Sequence, residues 1–351
     1  VKASRRHFMA AGMGALAAPA VARGQSARRW RCATSWAKNL PGPGVTAARL
    51  AKRIGEMSNG ELTIDVFAAG EIVPALNVFD AVSTGVVEMG HTASLFWQGK
   101  TPAAALFTTQ PFGLSPTAHA AWIDASGQSL WDELYAPFGL RGLLAGNTGP
   151  SSAGWFRKPI ASLEDLKGLR IRVTGFGGEI YRRLGATPIV TAPSDTYPAL
   201  ERGVIDAAEF LAPGNDAPMG LHRVAPHLAI PGFNKPNGAS EALVSLKTWA
   251  ELPSHLRAIF ESAARAEHDA GLADAVTLNA AALPPLLAGG VQLMLLPDDV
   301  IEAARKAAGA VLDELSARDA LSGRIVSSFR AAQEAGHAWR RVQAASVQRL
   351  G

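Results

Sequence analysis

In the segment Leu169-Arg170-Ile171-Arg172-Val173, two arginines flank an isoleucine, so on a strand Arg170 and Arg172 share one face. Two cations on one face of a core strand are costly to bury without an anion. A guanidinium is a planar fork of donors that matches a carboxylate, so this spacing points to capture of a carboxylate guest. A glycine-rich turn, Gly175-Phe176-Gly177-Gly178, follows the strand, and Glu209 stands at the far end of the same stretch.

The elements needed to hold these residues are readable around them. After a turn at Gly168 come the arginine strand, a helix carrying Ile180 and Leu184, and a strand at Pro188-Ile189-Val190. A helix with Tyr197, Leu200 and Val204 in register follows, then a strand over 206–210. This β-α-β-α-β order is the unit of a parallel sheet flanked by helices. Ligands of such sheets sit outside the carboxyl ends of the strands, where Arg172 and Glu209 fall. The same order occurs earlier: a strand over 30–36, a helix with Ala48, Leu50 and Ile54, a strand over 62–67, a helix over 73–82 and a strand over 86–90. Strands are also predicted over 140–146, 152–157 and 242–244, and a helix over 118–135.

A chain of 351 residues suggests two lobes. The first is expected over 28–147, with part of 245–351 packing back on it, and the second over 148–240. Residues 253–351 read as an almost wholly helical segment spanning both lobes, broken at Pro284-Pro285, Gly289-Gly290 and Pro297. Ile325, Phe329, Ala332 and Trp339 recur at helical spacing and face either the two lobes or a second subunit.

Residues 1–22 read as a twin-arginine signal peptide: Ser4-Arg5-Arg6-His7-Phe8-Met9, a mildly apolar run, then the cleavage site Ala20-Val21-Ala22. Removing it takes away Lys2, Arg5 and Arg6 and lowers the formal charge from +4 to +1, so nucleic-acid binding loses its support. Cys32 is the single cysteine and reads as a small buried residue, which leaves no internal disulfide.

Two motifs suggest catalysis. Gly42-Pro43-Gly44-Val45-Thr46-Ala47 fits G-x-G-x-x-A with Asp65 downstream, the basis of an alternative as an exported nicotinamide- or flavin-dependent oxidoreductase. Five residues separate Trp36 from Gly42, however, and Pro43 removes a backbone donor. Gly149-Pro150-Ser151-Ser152-Ala153 lacks the last glycine of a nucleophile elbow. An arginine, aromatic residues at predicted strand ends and no general acid–base pair describe a receptor better than an enzyme.

The chain resembles the solute receptors of tripartite ATP-independent periplasmic (TRAP) transporters, the DctP-like type, and within it the α-keto-acid-binding branch. The matching stretches include 33–42, 68–73, 87–94, Gln110-Pro111-Phe112-Gly113-Leu114, Gly154-Trp155-Phe156, 165–172 and 197–209. The resemblance implies a two-lobed α/β periplasmic-binding-protein fold, type II-like, with a long C-terminal helix. It also implies a periplasmic receptor, not an enzyme, that delivers a small organic acid, a 2-oxo or 2-hydroxy monocarboxylate, to ion-driven permease subunits. Arg172 falls at the family's carboxylate-clamping position. Asn147 is expected on the 2-position oxygen, with Phe96, Trp97, Trp155 and Phe176 enclosing the side chain. In the keto-acid branch a metal bridges ligand and protein, and Glu209, Phe210 and Glu241 match or approach its ligands. The chain departs from that pattern at Asn147, Ser151 and Ser152, and at Phe233-Asn234-Lys235. Two alternatives follow: a Na+ or Ca2+ ion on Glu209, Phe210 and Glu241, or the Lys235 ammonium in its place. A homodimer through the last helix, as in some relatives, is the further partner that the resemblance implies.

Overall fold

The structure, a computed structural model, describes residues 27–350; the expected signal peptide lies outside the described residues. Two mixed sheets form the frame. Strands β1 (Arg28–Thr34), β2 (Leu62–Phe67), β3 (Met89–Thr92), β4 (Leu140–Asn147) and β10 (Ala239–Ser245) make the first, in the order β2-β1-β3-β10-β4. The second contains β5 (Gly154–Phe156), β6 (Arg170–Arg172), β7 (Thr187–Ile189), β8 (Ala207–Ala208), β9 (His227–Ile230) and β11 (Gln292–Leu295), in the order β11-β9-β5-β8-β6-β7. Strand β1 pairs in parallel with β2 and β3, while β10 runs antiparallel between β3 and β4. Strand β6 is parallel to both β7 and β8.

Both sheets are covered on two sides, as parallel strands require. In the first lobe Trp30, Leu50, Ile54, Leu143 and Phe260 fill one side, and Val78, Phe79, Trp97, Phe107 and Trp131 belong to the core on the other. In the second lobe Leu200, Ile205, Leu228 and Leu286 form one apolar cluster. Ile171, Ile180, Val300 and Leu312 belong to the other. Four crossings, out of the first sheet after β4, back at β10, out again to β11 and back with the last helix, join the lobes. Asn147 fastens them together. Its Nδ2 donates to Asn237 Oδ1 at 2.7 Å and lies 3.0 Å from His268 Nε2, and its Oδ1 accepts from Gly149 N at 2.8 Å.

The last hundred residues are almost wholly helical and break at Gly289-Gly290 and Pro297 as expected, but not at Pro284-Pro285, and they include a strand. The helix Ser254–Ala288 runs through Pro284 and Pro285 and stops at Gly289. Strand β11 then adds to the edge of the second sheet, in parallel with β9. A proline removes only its own donor and disturbs the turn before it, so two prolines within the last turns end a helix slowly. The helix Asp298–Arg318 packs on the second lobe's helix Phe176–Arg183. The final helix, Ala320–Leu350, returns to the first lobe, where Phe329 meets Trp122 edge-on at 5.1 Å. Ile325, Val326 and Phe329 are buried, whereas Trp339 further along is 62% exposed.

Candidate carboxylate site

A cavity of about 40 Å³ lies between the lobes. Its walls come from the ends of strands: Trp36 after β1, Ala93, Leu95 and Phe96 after β3, Arg172 and Thr174 at β6, Phe210 and Leu211 after β8. A water needs roughly 10–15 Å³ on the same measure, so the space suits a guest of a few heavy atoms. Four hydroxyl side chains, Thr108, Thr148, Thr174 and Ser240, complete a mainly apolar lining.

Sheet register explains the position of Arg172. The residue pairs with Ala208 of β8 on one side and Ile189 of β7 on the other. Its Nη1 donates to the carbonyl of Glu209 at 2.7 Å and its Nη2 to that of Thr191 at 3.3 Å, just beyond the ends of those strands. The guanidinium is thus tied to both neighbours, lies over the Phe210 ring at 5.4 Å, and is only 1% exposed. Its Nε has no protein partner. Burial pulls its pKa down to about 10, against the pull of Glu209 and Asp216, so it stays charged at neutral pH. Arg170 sits at the opposite end of β6. There it makes a two-point bridge to Asp206 at 2.8 and 2.6 Å, and that half-exposed pair neutralises it.

Glu209 and Lys235 form the second charged element. Lys235 Nζ is 2.6 Å from Glu209 Oε1 and donates to the Phe210 carbonyl, and the Asn234 amide donates to Glu209 Oε2. All three side chains are buried, and Lys235 lines the cavity. Asp216 lies behind them, accepting from Trp155 Nε1 at 2.8 Å and from Leu211 N at 3.1 Å. Burial pushes its carboxyl up to about 7.

Arg172, Phe96, Phe210 and Lys235 therefore border one cavity, whereas the other candidates stand apart from it. Trp97 lies in the first lobe's core, tilted against Phe79 with ring centroids 5.3 Å apart, and donates from its indole to Glu241 Oε1 at 2.8 Å. Glu241 also accepts from the Tyr135 hydroxyl, and burial raises its carboxyl to about 8. Trp155 is inside the second lobe on Asp216, Phe176 borders an outer cleft with Gln98 and Arg318, and Asn147 is occupied at the crossings. Glu241 has one carboxylate oxygen on Trp97 and the other on Tyr135, and the described residues contain no cluster of three His, Cys, Asp or Glu suited to a metal.

Among the lining residues that sequence reasoning left out of the site are Trp36, Pro43 and the four hydroxyl residues. Trp36 had a signal in the run Thr34-Ser35-Trp36 at a strand end. The structure adds the reason for its orientation. Its indole donates to His91 Nδ1 at 2.9 Å, and His91 Nε2 bonds the Ala145 carbonyl at 2.9 Å. Burial lowers the His91 pKa to about 4, so it is a neutral link between β3, β4 and the cavity wall. Pro43 opens the helix Pro43–Met57 beside the cavity, and Asp65 is paired with Arg29 at the surface. The oxidoreductase alternative gains no support from that arrangement.

Residues 33–319 match the model of the bacterial extracellular solute-binding proteins, family 7, known as DctP. The chain belongs to that family. A monocarboxylate 2-oxoacid-binding periplasmic protein of Nostoc is 39% identical over 321 residues, 91% of this chain and 88% of that one. A TRAP transporter solute-binding protein of Bordetella bronchiseptica, solved as a mixed-occupancy dimer with calcium and picolinate, superposes with a TM-score of 0.90. It is 36% identical over 92% of this chain and 96% of its own. The Pseudoalteromonas atlantica counterpart, with sodium and pyruvate bound, has a TM-score of 0.89 and 35% identity over 93% and 99%. The fold is the two-lobed one of TRAP solute receptors, and the chain is an extracytoplasmic receptor of the DctP family.

Proposed function

We propose that this receptor captures a 2-oxo or 2-hydroxy monocarboxylate beside Arg172 and hands it to the permease of an ion-driven TRAP transporter, with no catalysis of its own. The observation that carries this reading is a buried arginine with an unpartnered Nε on the wall of a small, largely apolar cavity. A guanidinium already desolvated and anchored by two backbone carbonyls gives a carboxylate charged hydrogen bonds without having to be ordered on binding. Phe96, Phe210 and Trp36 then close over the short side chain. Trp97, Trp155, Phe176 and Asn147 serve the site from behind, through the packing and crossings that hold its walls. The likeness to receptors whose names or structures carry 2-oxoacids, pyruvate or picolinate supports the same ligand class here.

A thermal-shift screen followed by calorimetry tests the proposal. Pyruvate, 2-oxobutyrate and lactate should raise the melting temperature, while succinate and malate should not. Stabilisation by dicarboxylates alone would refute the ligand class. Export by the twin-arginine route belongs to the same reading, and replacing Arg5 and Arg6 by lysine should keep the protein in the cytoplasm. A dimer through the last helix, with Trp339 and Val342 exposed on it, is checked by sedimentation of wild type and Trp339→Ser.

A further inference from the structure

Relatives have been solved with calcium and picolinate, sodium and pyruvate, or calcium and pyruvate bound. The residues expected to hold such an ion in this chain do not fit one. The Lys235 ammonium stands on Glu209 Oε1 and on the Phe210 carbonyl, two of the three groups in question. The third, Glu241, has its oxygens engaged by Trp97 and Tyr135. The second Glu209 oxygen is taken by Asn234. A metal ion arriving at Glu209 and Phe210 would meet a buried ammonium that has no solvent to withdraw into, since Lys235 is 4% exposed.

We propose that Lys235 is the resident cation of this receptor: together with Arg172 it binds the acid directly, and ligand binding needs no metal. The inference rests on the carboxylate-receptor reading and specifies how that site works. Lys235 has three donors, of which Phe210 takes one and Glu209 lies against the ammonium at 2.6 Å. What remains is available to the guest, because Lys235 borders the same cavity as Arg172. Arg172 as a planar fork suits the carboxylate, and Lys235 as a point charge suits the oxygen on the second carbon. The charges match a monoanion. Two cations face Glu209 and a carboxyl at Asp216 that is balanced between its two forms near neutrality. No more than one positive charge is left over for a guest. A second carboxylate would be buried without a partner, which is costly.

Calorimetry of the full receptor with pyruvate, in excess chelator, in excess calcium and in excess sodium, tests the inference. Wild-type affinity should agree within about twofold across the three conditions, a difference of less than about 0.5 kcal/mol. Elemental analysis of protein purified without added metal should find none bound. Tenfold or greater weakening in chelator, restored by either ion, would overturn the inference and leave the receptor function standing. Lys235→Met should weaken pyruvate by about 30-fold or more in all three conditions, because truncating a buried hydrogen-bonded charge leaves Glu209 and the guest unpaired. Wild-type affinity in that variant would also overturn it, and if the variant fails to fold the wild-type comparison alone decides. Should no small 2-oxo or 2-hydroxy acid bind wild type under any of the three conditions, the proposed function itself falls and this inference with it.

Discussion

Replacing Arg172 by methionine keeps an unbranched apolar stem, shortens the side chain by about two atoms and removes every donor. In the wild type two of the five guanidinium N–H groups go to the Glu209 and Thr191 carbonyls, and Nε has no protein partner. A carboxylate held by two charged hydrogen bonds loses about 1.5–3 kcal/mol for each, or roughly 3–6 kcal/mol in all. That corresponds to a loss of about 10²- to 10⁴-fold in affinity. The contact with the Phe210 ring goes as well, and the two carbonyls are left with one partner fewer. Some loss of stability is therefore expected, and thermal unfolding of the ligand-free variant must first show a cooperative transition. Calorimetry with pyruvate then reads the affinity. Arg172→Lys is the informative companion, since it keeps the charge without the fork and should fall between wild type and Arg172→Met. If folded Arg172→Met binds pyruvate within about threefold of wild type, the guanidinium is not the carboxylate clamp and the reasoning from β6 register fails.

The other arginine of the pair gives the contrasting case: Arg170→Ala breaks a half-exposed bridge to Asp206, so it should cost at most about 1 kcal/mol of stability and leave pyruvate affinity unchanged. A Cβ at Gly232 would lie 1.9 Å from the Ser151 carbonyl, whose residue also bonds the Lys235 backbone at 2.9 Å, so Gly232→Ala should destabilise by about 1–3 kcal/mol in urea unfolding and weaken pyruvate binding. Glu241 has a folded-state pKa of about 8 against 4.5, so the native state binds more protons than the unfolded one and stability falls as pH rises between those values. Glu241→Gln should remove about 1–2 kcal/mol of that fall between pH 6.5 and 8, read as the difference from wild type so that Asp216, raised to about 7, and the buried histidines cancel; an unchanged pH slope would contradict the buried-acid assignment.

Both β-α-β-α-β units were legible because each carries apolar residues at strand or helix spacing, punctuated by glycines such as Gly60 and Gly168. Strand β10 was visible in Ala242-Leu243-Val244, whereas β11 was not. Leu293 and Leu295 are exposed on an edge strand only four residues long, so no alternation distinguishes them from the flanking helices. Strand β9 gave as little sign, with four residues between a proline and a cis-proline turn. Within the site, Arg172 was readable because buried charge on a strand demands an explanation. Trp97 and Trp155 were not distinguishable from Trp36 by type or by their position near strand ends. What separates them is the group that each indole N–H finds: an acid inside a lobe for the first two, His91 beside the cavity for the third.

The two-residue spacing of the arginines carries more of the design than their number. Both side chains leave the same face of β6, so one acidic partner within reach of both would have neutralised the pair and closed the site. Instead β8 carries Asp206 at its start and ends in a backbone carbonyl at Glu209, which turns its own carboxylate toward Lys235. Arg170 is therefore matched by a charge and Arg172 only by dipoles. A guanidinium stabilised by carbonyl dipoles keeps its net charge for an external anion, yet is held in place before that anion arrives. The register of β6 against β8 decides this, since a slip of one residue would turn Arg172 to the other face and exchange its surroundings. Binding in this receptor is accordingly a property of strand pairing as much as of side chains, and it should be lost by any change that unpairs Arg172 from Ala208 even with both arginines intact.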